Sequence, residues 1–181
     1  MNNVLVIVIV AVVLIILIWL IAVSNRIDKA KIKIEEAQSG IDVALTKRYD
    51  VLKKMIEVVK GYAKHEQETI FKTMEMRKGI SVSELNETKR EMSEQFGKIN
   101  MLAESYPELK SNENFNTLQL SISVVEEHLQ ATRRLYNSNV SSYNQMIKVF
   151  PNSIIAGSKG CKTKEFFVAE EEKKQDVKMD F

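Results

Sequence analysis

Residues 134–151 read RLYNSNVSSYNQMIKVFP. A Tyr-Asn pair, Tyr136-Asn137, recurs seven residues on as Tyr143-Asn144, with neither glycine nor proline between. Seven residues are nearly two helical turns, so both tyrosines fall on one helix face, in line with Leu129, Val140, Ile147 and Phe150. Each asparagine sits about 100° round, at the border of that face. A buried tyrosine pairs a large apolar ring with a hydroxyl that needs a partner, and an asparagine offers two donors and an acceptor. The repeated pair is therefore read as pinning register between helices at two heights, its asparagines bonding a neighbouring helix backbone or loop. A ligand site is the alternative. Phe150-Pro151 is expected to seal the end.

Working back from this stretch, the same stripe runs through Phe115, Leu118, Ile122 and Val125. A second stripe carries Leu85, Met92, Phe96, Ile99, Leu102 and Tyr106 and ends at Pro107. Ser81 and Glu84 stand where a capping box would open it. The earliest stripe carries Ile27, Ala30, Ile34, Ala37, Ile41, Leu45, Leu52, Met55, Val59 and Tyr62, then Ile70 and Met74. No alternating pattern competes, and the chain holds only 2 prolines and 6 glycines. The expected fold is all-α: an antiparallel up-and-down bundle. Lys60-Gly61-Tyr62 resembles a Schellman stop, which gives four long helices. The stripe also continues across Gly61, which gives three.

Ahead of the bundle, Val4–Val23 reads VLVIVIVAVVLIILIWLIAV without a charge. As a helix it covers about 30 Å, the thickness of a hydrocarbon core, with Trp19 suited to one interface. The preceding MNN carries no basic residue, which argues against a cleaved signal peptide. Arg26, Lys29, Lys31 and Lys33 follow the span, so the positive-inside rule puts the N-terminus outside and the remainder in the cytoplasm. A single cysteine, Cys161, allows no intrachain disulfide and suits a reducing compartment. The expected order is a tail over 1–3, the span over 4–23 and a bundle over 24–151. An irregular segment packed on the bundle follows over 152–168, then a disordered charged tail over 169–181.

Charged residues make up 28% of the chain, yet the formal net charge is only +2, so nothing in the balance demands a nucleic acid. HEQET at 65–69 begins like a zinc-peptidase motif, but Thr69 occupies the second histidine's place. GSKGCKT at 157–163 lacks the order, the preceding strand and the following helix of a phosphate loop. No G-x-S-x-G occurs, and Cys161 has no histidine near it in sequence. Neither a metal nor a cofactor is expected. The notable polar residues are those interrupting apolar stripes: Arg48, Glu66, Glu126 and Arg133. A charge in a bundle core must be paired, so at least one interhelical ion pair is expected among them, unless their helices rotate to expose them.

RRLYNSNVSSYNQMIKVFP, with GIDVALTKRYDVLKKMIEVVKGYAKHEQET from Gly40 and LAESYPELKSNENFNTLQ from Leu102, resembles the LemA family of bacterial membrane-anchored helical proteins. That resemblance implies a single N-terminal span, an outside-to-cytoplasm orientation in the plasma (inner) membrane and an antiparallel four-helix bundle. It brings no established reaction. The expected function is a non-catalytic scaffold or adaptor that sits in the lipid bilayer and binds an unidentified protein, or further copies of itself, through its cytoplasmic bundle. A regulator or sensor of an envelope process, such as a membrane protease, is the first alternative. An enzyme acting at the membrane surface is the second.

Overall fold

A computed structural model of the protein describes residues 2–62 and 82–167. Every regular element among them is a helix: α1 (Asn2–Lys60), α2 (Val82–Ser105), α3 (Pro107–Lys110), α4 (Glu113–Lys148) and α5 (Asn152–Ser158). The fourth expected helix, with Ile70 and Met74, lies outside the described residues, as do the proposed Ser81–Glu84 cap and the charged tail over 169–181.

The described chain falls into two compact units. The first comprises 2–38 and 135–165, and the second 39–62, 82–134 and 166–167. In the first unit, α1 opens with a run that is long and apolar enough to cross a membrane and is exposed as far as Ala22. No glycine or proline interrupts α1 before Gly40, so its hydrogen-bond ladder passes from this run into the charged sequence without a stop. Beyond it, Val23, Ile27, Ile34 and Ala37 recur at three- and four-residue spacings and are buried. The unit's core is completed by Tyr136, Val140, Tyr143 and Ile147 of α4 and by Ile155 and Ala156 of α5.

Residues 152–158 correct the expectation of an irregular segment: they form α5. Pro151 lacks an N–H and has a restricted φ, which suits it to a helix start, and the missing periodic signal reflects only the shortness of the helix. The stop is a Schellman motif. Gly160 takes φ +61, Cys161 N donates to Ala156 O at 2.9 Å, and Gly160 N donates to Gly157 O at 3.0 Å. Phe150 is a second correction. α4 ends at Lys148, so Phe150 leaves the helical register and is exposed instead of sealing the unit.

The second unit buries Ile41, Leu45, Leu52, Met55 and Val59 of α1 with Met92, Ile99 and Leu102 of α2. Phe115, Ile122, Val125 and Leu129 of α4 complete the core, each full burial contributing roughly 1.5–3 kcal/mol. Gly40 approaches Thr132 and Arg48 meets Glu126, so α1 and α4 run antiparallel here. A Cβ on Gly40 would come within 2.9 Å of Thr132 Cγ2; glycine is what lets the helices close to this distance.

α1 does stop at Lys60, though not by the expected Schellman route. Gly61 does not take positive φ, and the last turn tightens through Gly61 N to Val58 O at 3.1 Å and Tyr62 N to Val59 O at 2.9 Å. Pro107 ends α2 as expected: Tyr106 is held extended (φ −123, ψ 90) ahead of the proline ring, which then opens the single turn of α3. Asn112 caps α4, its Oδ1 accepting from Phe115 N at 3.0 Å while its Nδ2 donates to Tyr62 Oη at 2.9 Å.

Candidate functional site

Two polar constellations stand out, one in each unit. In the second unit Arg48 of α1 is nearly buried and points at Glu126 of α4, with Nη1 3.3 Å from Oε2. Lys89 of α2 reaches the other carboxylate oxygen at 3.6 Å. Side-chain exposures of 5% for Arg48, 10% for Lys89 and 25% for Glu126 show that water enters from the carboxylate side. It does so through an open cleft of about 450 Å³, walled also by Ser93, Gln119 and Ile122. Arg48 Nη2 donates to Ser93 Oγ at 3.1 Å, and Ser93 Oγ donates onward to Lys89 O at 3.0 Å. One carboxylate thus draws cations from two other helices as ion pairs.

The cluster joins side chains of three helices, and Ser93 and Ser123 both line its cleft. Ser93 Oγ already accepts from a guanidinium and donates to a carbonyl, and no described imidazole adjoins it as a base. Gln119 Nε2 adds a neutral bridge to Asn100 Oδ1 at 3.0 Å.

In the first unit, α4 holds a stretch without regular secondary structure, 161–165. Asn144 Oδ1 accepts from Lys164 N at 2.9 Å, and its Nδ2 donates to Lys164 O at 2.9 Å. A single side-chain amide therefore supplies both hydrogen bonds that a neighbouring strand would give. Tyr136 Oη donates to Glu165 O at 3.2 Å. Tyr143 shares a hydrogen bond with the Cys161 thiol; burial, then that bond, pushes its hydroxyl pKa up to about 12. Asn139 Nδ2 donates to Lys33 O of α1 at 2.9 Å. Lys159 closes the unit on α1, its Nζ 2.8 Å from Ser24 Oγ and 2.6 Å from Asp28 Oδ2. That ammonium holds the Asp28 carboxyl below its ordinary range.

The residues singled out in the sequence are thus distributed unevenly. Arg48 and Glu126 are brought together. Arg133 lies over the Phe167 ring, 5.4 Å from its centroid, as a cation–π contact. Glu66 lies outside the described residues. Tyr136, Tyr143 and Asn144 face the 161–165 stretch, while Asn137 is half-buried. Asn139, which the repeat did not mark, reaches the backbone of α1 at Lys33. Lys89 was also missed, although it stands four after Leu85 and three before Met92 and so interrupts a stripe as Arg48 does.

A profile of the LemA family matches residues 37–181. The protein named Protein LemA from Metamycoplasma hominis is 29% identical over 158 residues, 84% of this chain and 72% of that protein.

Proposed function

We propose, from the premise that the chain belongs to the LemA family, a non-catalytic scaffold or adaptor anchored in the plasma membrane by α1. The carrying observation is the exposed apolar run of α1, continuous with a helix that next bears Arg26, Lys29, Lys31 and Lys33. By the positive-inside rule these basic residues favour an N-terminus outside and both units in the cytoplasm. The polar groups of both constellations are engaged in holding helices and backbone together, which supports a binding role over turnover. Leu120 and Val124, one turn apart on α4, are large apolar residues left exposed, and a protein partner or a second copy would cover them.

Sidedness is tested by labelling intact cells with a membrane-impermeant maleimide. Asn3→Cys in a Cys161→Ser background is expected to react from outside, and the native Cys161 only after permeabilisation. The reverse pattern overturns the orientation. The adaptor role is tested by photo-crosslinking at Leu120 and Val124 in cells, with adducts expected at these positions and not at exposed Glu87. No adduct from either residue removes it.

A further inference from the structure

The end of the first unit nearest the apolar run carries an apolar tip that the fold leaves uncovered. Val149 is 57% exposed, Phe150 75% and Ile154 64%. Their level follows from the register of α1 and α4. The two helices run antiparallel here: Lys33 is tied to Asn139, and one cavity is walled by Lys33 and Arg26 of α1 and by Asn139 and Met146 of α4. Moving nine residues along each helix from that bond brings Lys148 level with Ser24. Val149 and Phe150 therefore stand beside Val23 and Ala22, where the apolar run ends. α5 is fixed at the same level, because Lys159 binds Ser24 and Asp28.

The surroundings have the charge that an anionic surface would require. The unit's residues outside the apolar run, 24–38 and 135–165, hold eight basic and four acidic side chains. Arg26, Lys29 and Lys33 line the cavity of about 320 Å³ between α1 and α4, whose walls include no carboxylate. Arg26 and Lys29 stand about 5 and 9 Å beyond Val23 along the helix, within or just past a headgroup layer of roughly 5–8 Å. Lysines and arginines close to such a surface favour anionic lipid.

We propose that the α4–α5 turn, Val149 to Ile154, is a second membrane contact, seated in the interfacial layer of the anionic leaflet that α1 enters. The proposal rests on the membrane reading of α1 given above. A helix crossing the bilayer alone can tilt and rotate freely; a second contact beside its base fixes both.

The test uses the full chain in phosphatidylcholine vesicles, with and without phosphatidylglycerol, carrying nitroxide-labelled lipid. Phe150→Cys, Ile154→Cys and, as a control far up α4, Leu135→Cys are each labelled with an environment-sensitive fluorophore in the Cys161→Ser background. Trp19, the only tryptophan, independently reports whether α1 is inserted. Expected are loss of Trp19 emission to the nitroxide, loss of emission from both tip probes to the nitroxide but not to aqueous iodide, and the opposite for Leu135→Cys. Phosphatidylglycerol should deepen the tip quenching. If Trp19 is quenched while the tip probes respond to iodide alone, the proposal fails and the membrane reading stands. If Trp19 is not quenched, both fail. Tip probes shielded from both quenchers mean that protein covers the tip, and no response to phosphatidylglycerol removes the anionic preference; each overturns the proposal as stated.

Discussion

α4 contributes to both units, and it holds its neighbours by different means in each. Around Glu126 it offers a single carboxylate to Arg48 and Lys89, charges carried by two other helices. Between Tyr136 and Asn144 it offers neutral phenol and amide groups to the backbone of residues 164 and 165. The partners explain the difference. Helices have paired most of their own backbone groups, so side chains do most of the joining, with Asn139 on Lys33 O an exception, and a shared ion selects which helices meet. A chain without regular structure beside a helix has unsatisfied N–H and C=O groups, and an amide that both gives and accepts is the smallest side chain to meet both.

The sharpest break of the charged side is Glu126→Leu. It leaves two nearly buried cations with one carboxylate fewer and is expected to cost about 2–4 kcal/mol, the water at Glu126 keeping it below a fully buried case. Denaturant unfolding of the detergent-solubilised chain measures it. Adding Arg48→Met and Lys89→Met to that variant should recover most of the loss; if it does not, the cluster is not what joins these helices. On the neutral side, the raised pKa of Tyr143 lets the unfolded chain ionise first, from about pH 10. The folded chain therefore loses stability as pH climbs from about 10 towards 12, by roughly 2–3 kcal/mol at the top, and none of this appears below pH 10. Tyr143→Phe should reduce that alkaline slope, leaving the part due to Tyr136, whose hydroxyl is also raised by burial, as paired denaturation curves of the two proteins will show.

Asn144→Ala should cost about 1–2 kcal/mol by leaving both backbone groups of Lys164 without their amide. Amide exchange at Lys164 should accelerate while that of Val125 does not change, since Val125 lies in the other unit. Smallest is Arg133→Gln, which takes the cation from the face of Phe167 and should cost about 0.5–1 kcal/mol by the same unfolding assay. A larger loss than that of Asn144→Ala would show that the Arg133–Phe167 contact outweighs the neutral clasp.

Much of the fold was legible because it is written in spacing. Apolar residues at three- and four-residue intervals marked α1, α2 and α4, and Pro107 marked the end of α2. Arg48 and Glu126 were legible as charges standing where a stripe wanted apolar groups. Lys89 obeyed the same rule and was passed over because lysine is so commonly a solvated residue. What could not be read was the occupant of the Tyr-Asn face. Periodicity says which side of a helix is buried but not whether a helix or a chain without regular structure lies on it. α5 escaped for a related reason: seven residues make barely two turns, too few for a period to repeat. Gly40 left no sequence signal either, since only the approach of Thr132 gives its missing side chain a meaning.

The clasp of Asn144 on Lys164 bears on how the protein ages in the presence of proteases. Lys162 and Lys164 are exposed side chains in a stretch without secondary structure, which trypsin would ordinarily cut. Cleavage requires the enzyme to pair with the substrate's main chain as a strand, and at Lys164 both main-chain groups are already taken. Digestion there must wait for Asn144 to let go, so the rate of nicking at Lys164 is a clock for local opening of the first unit.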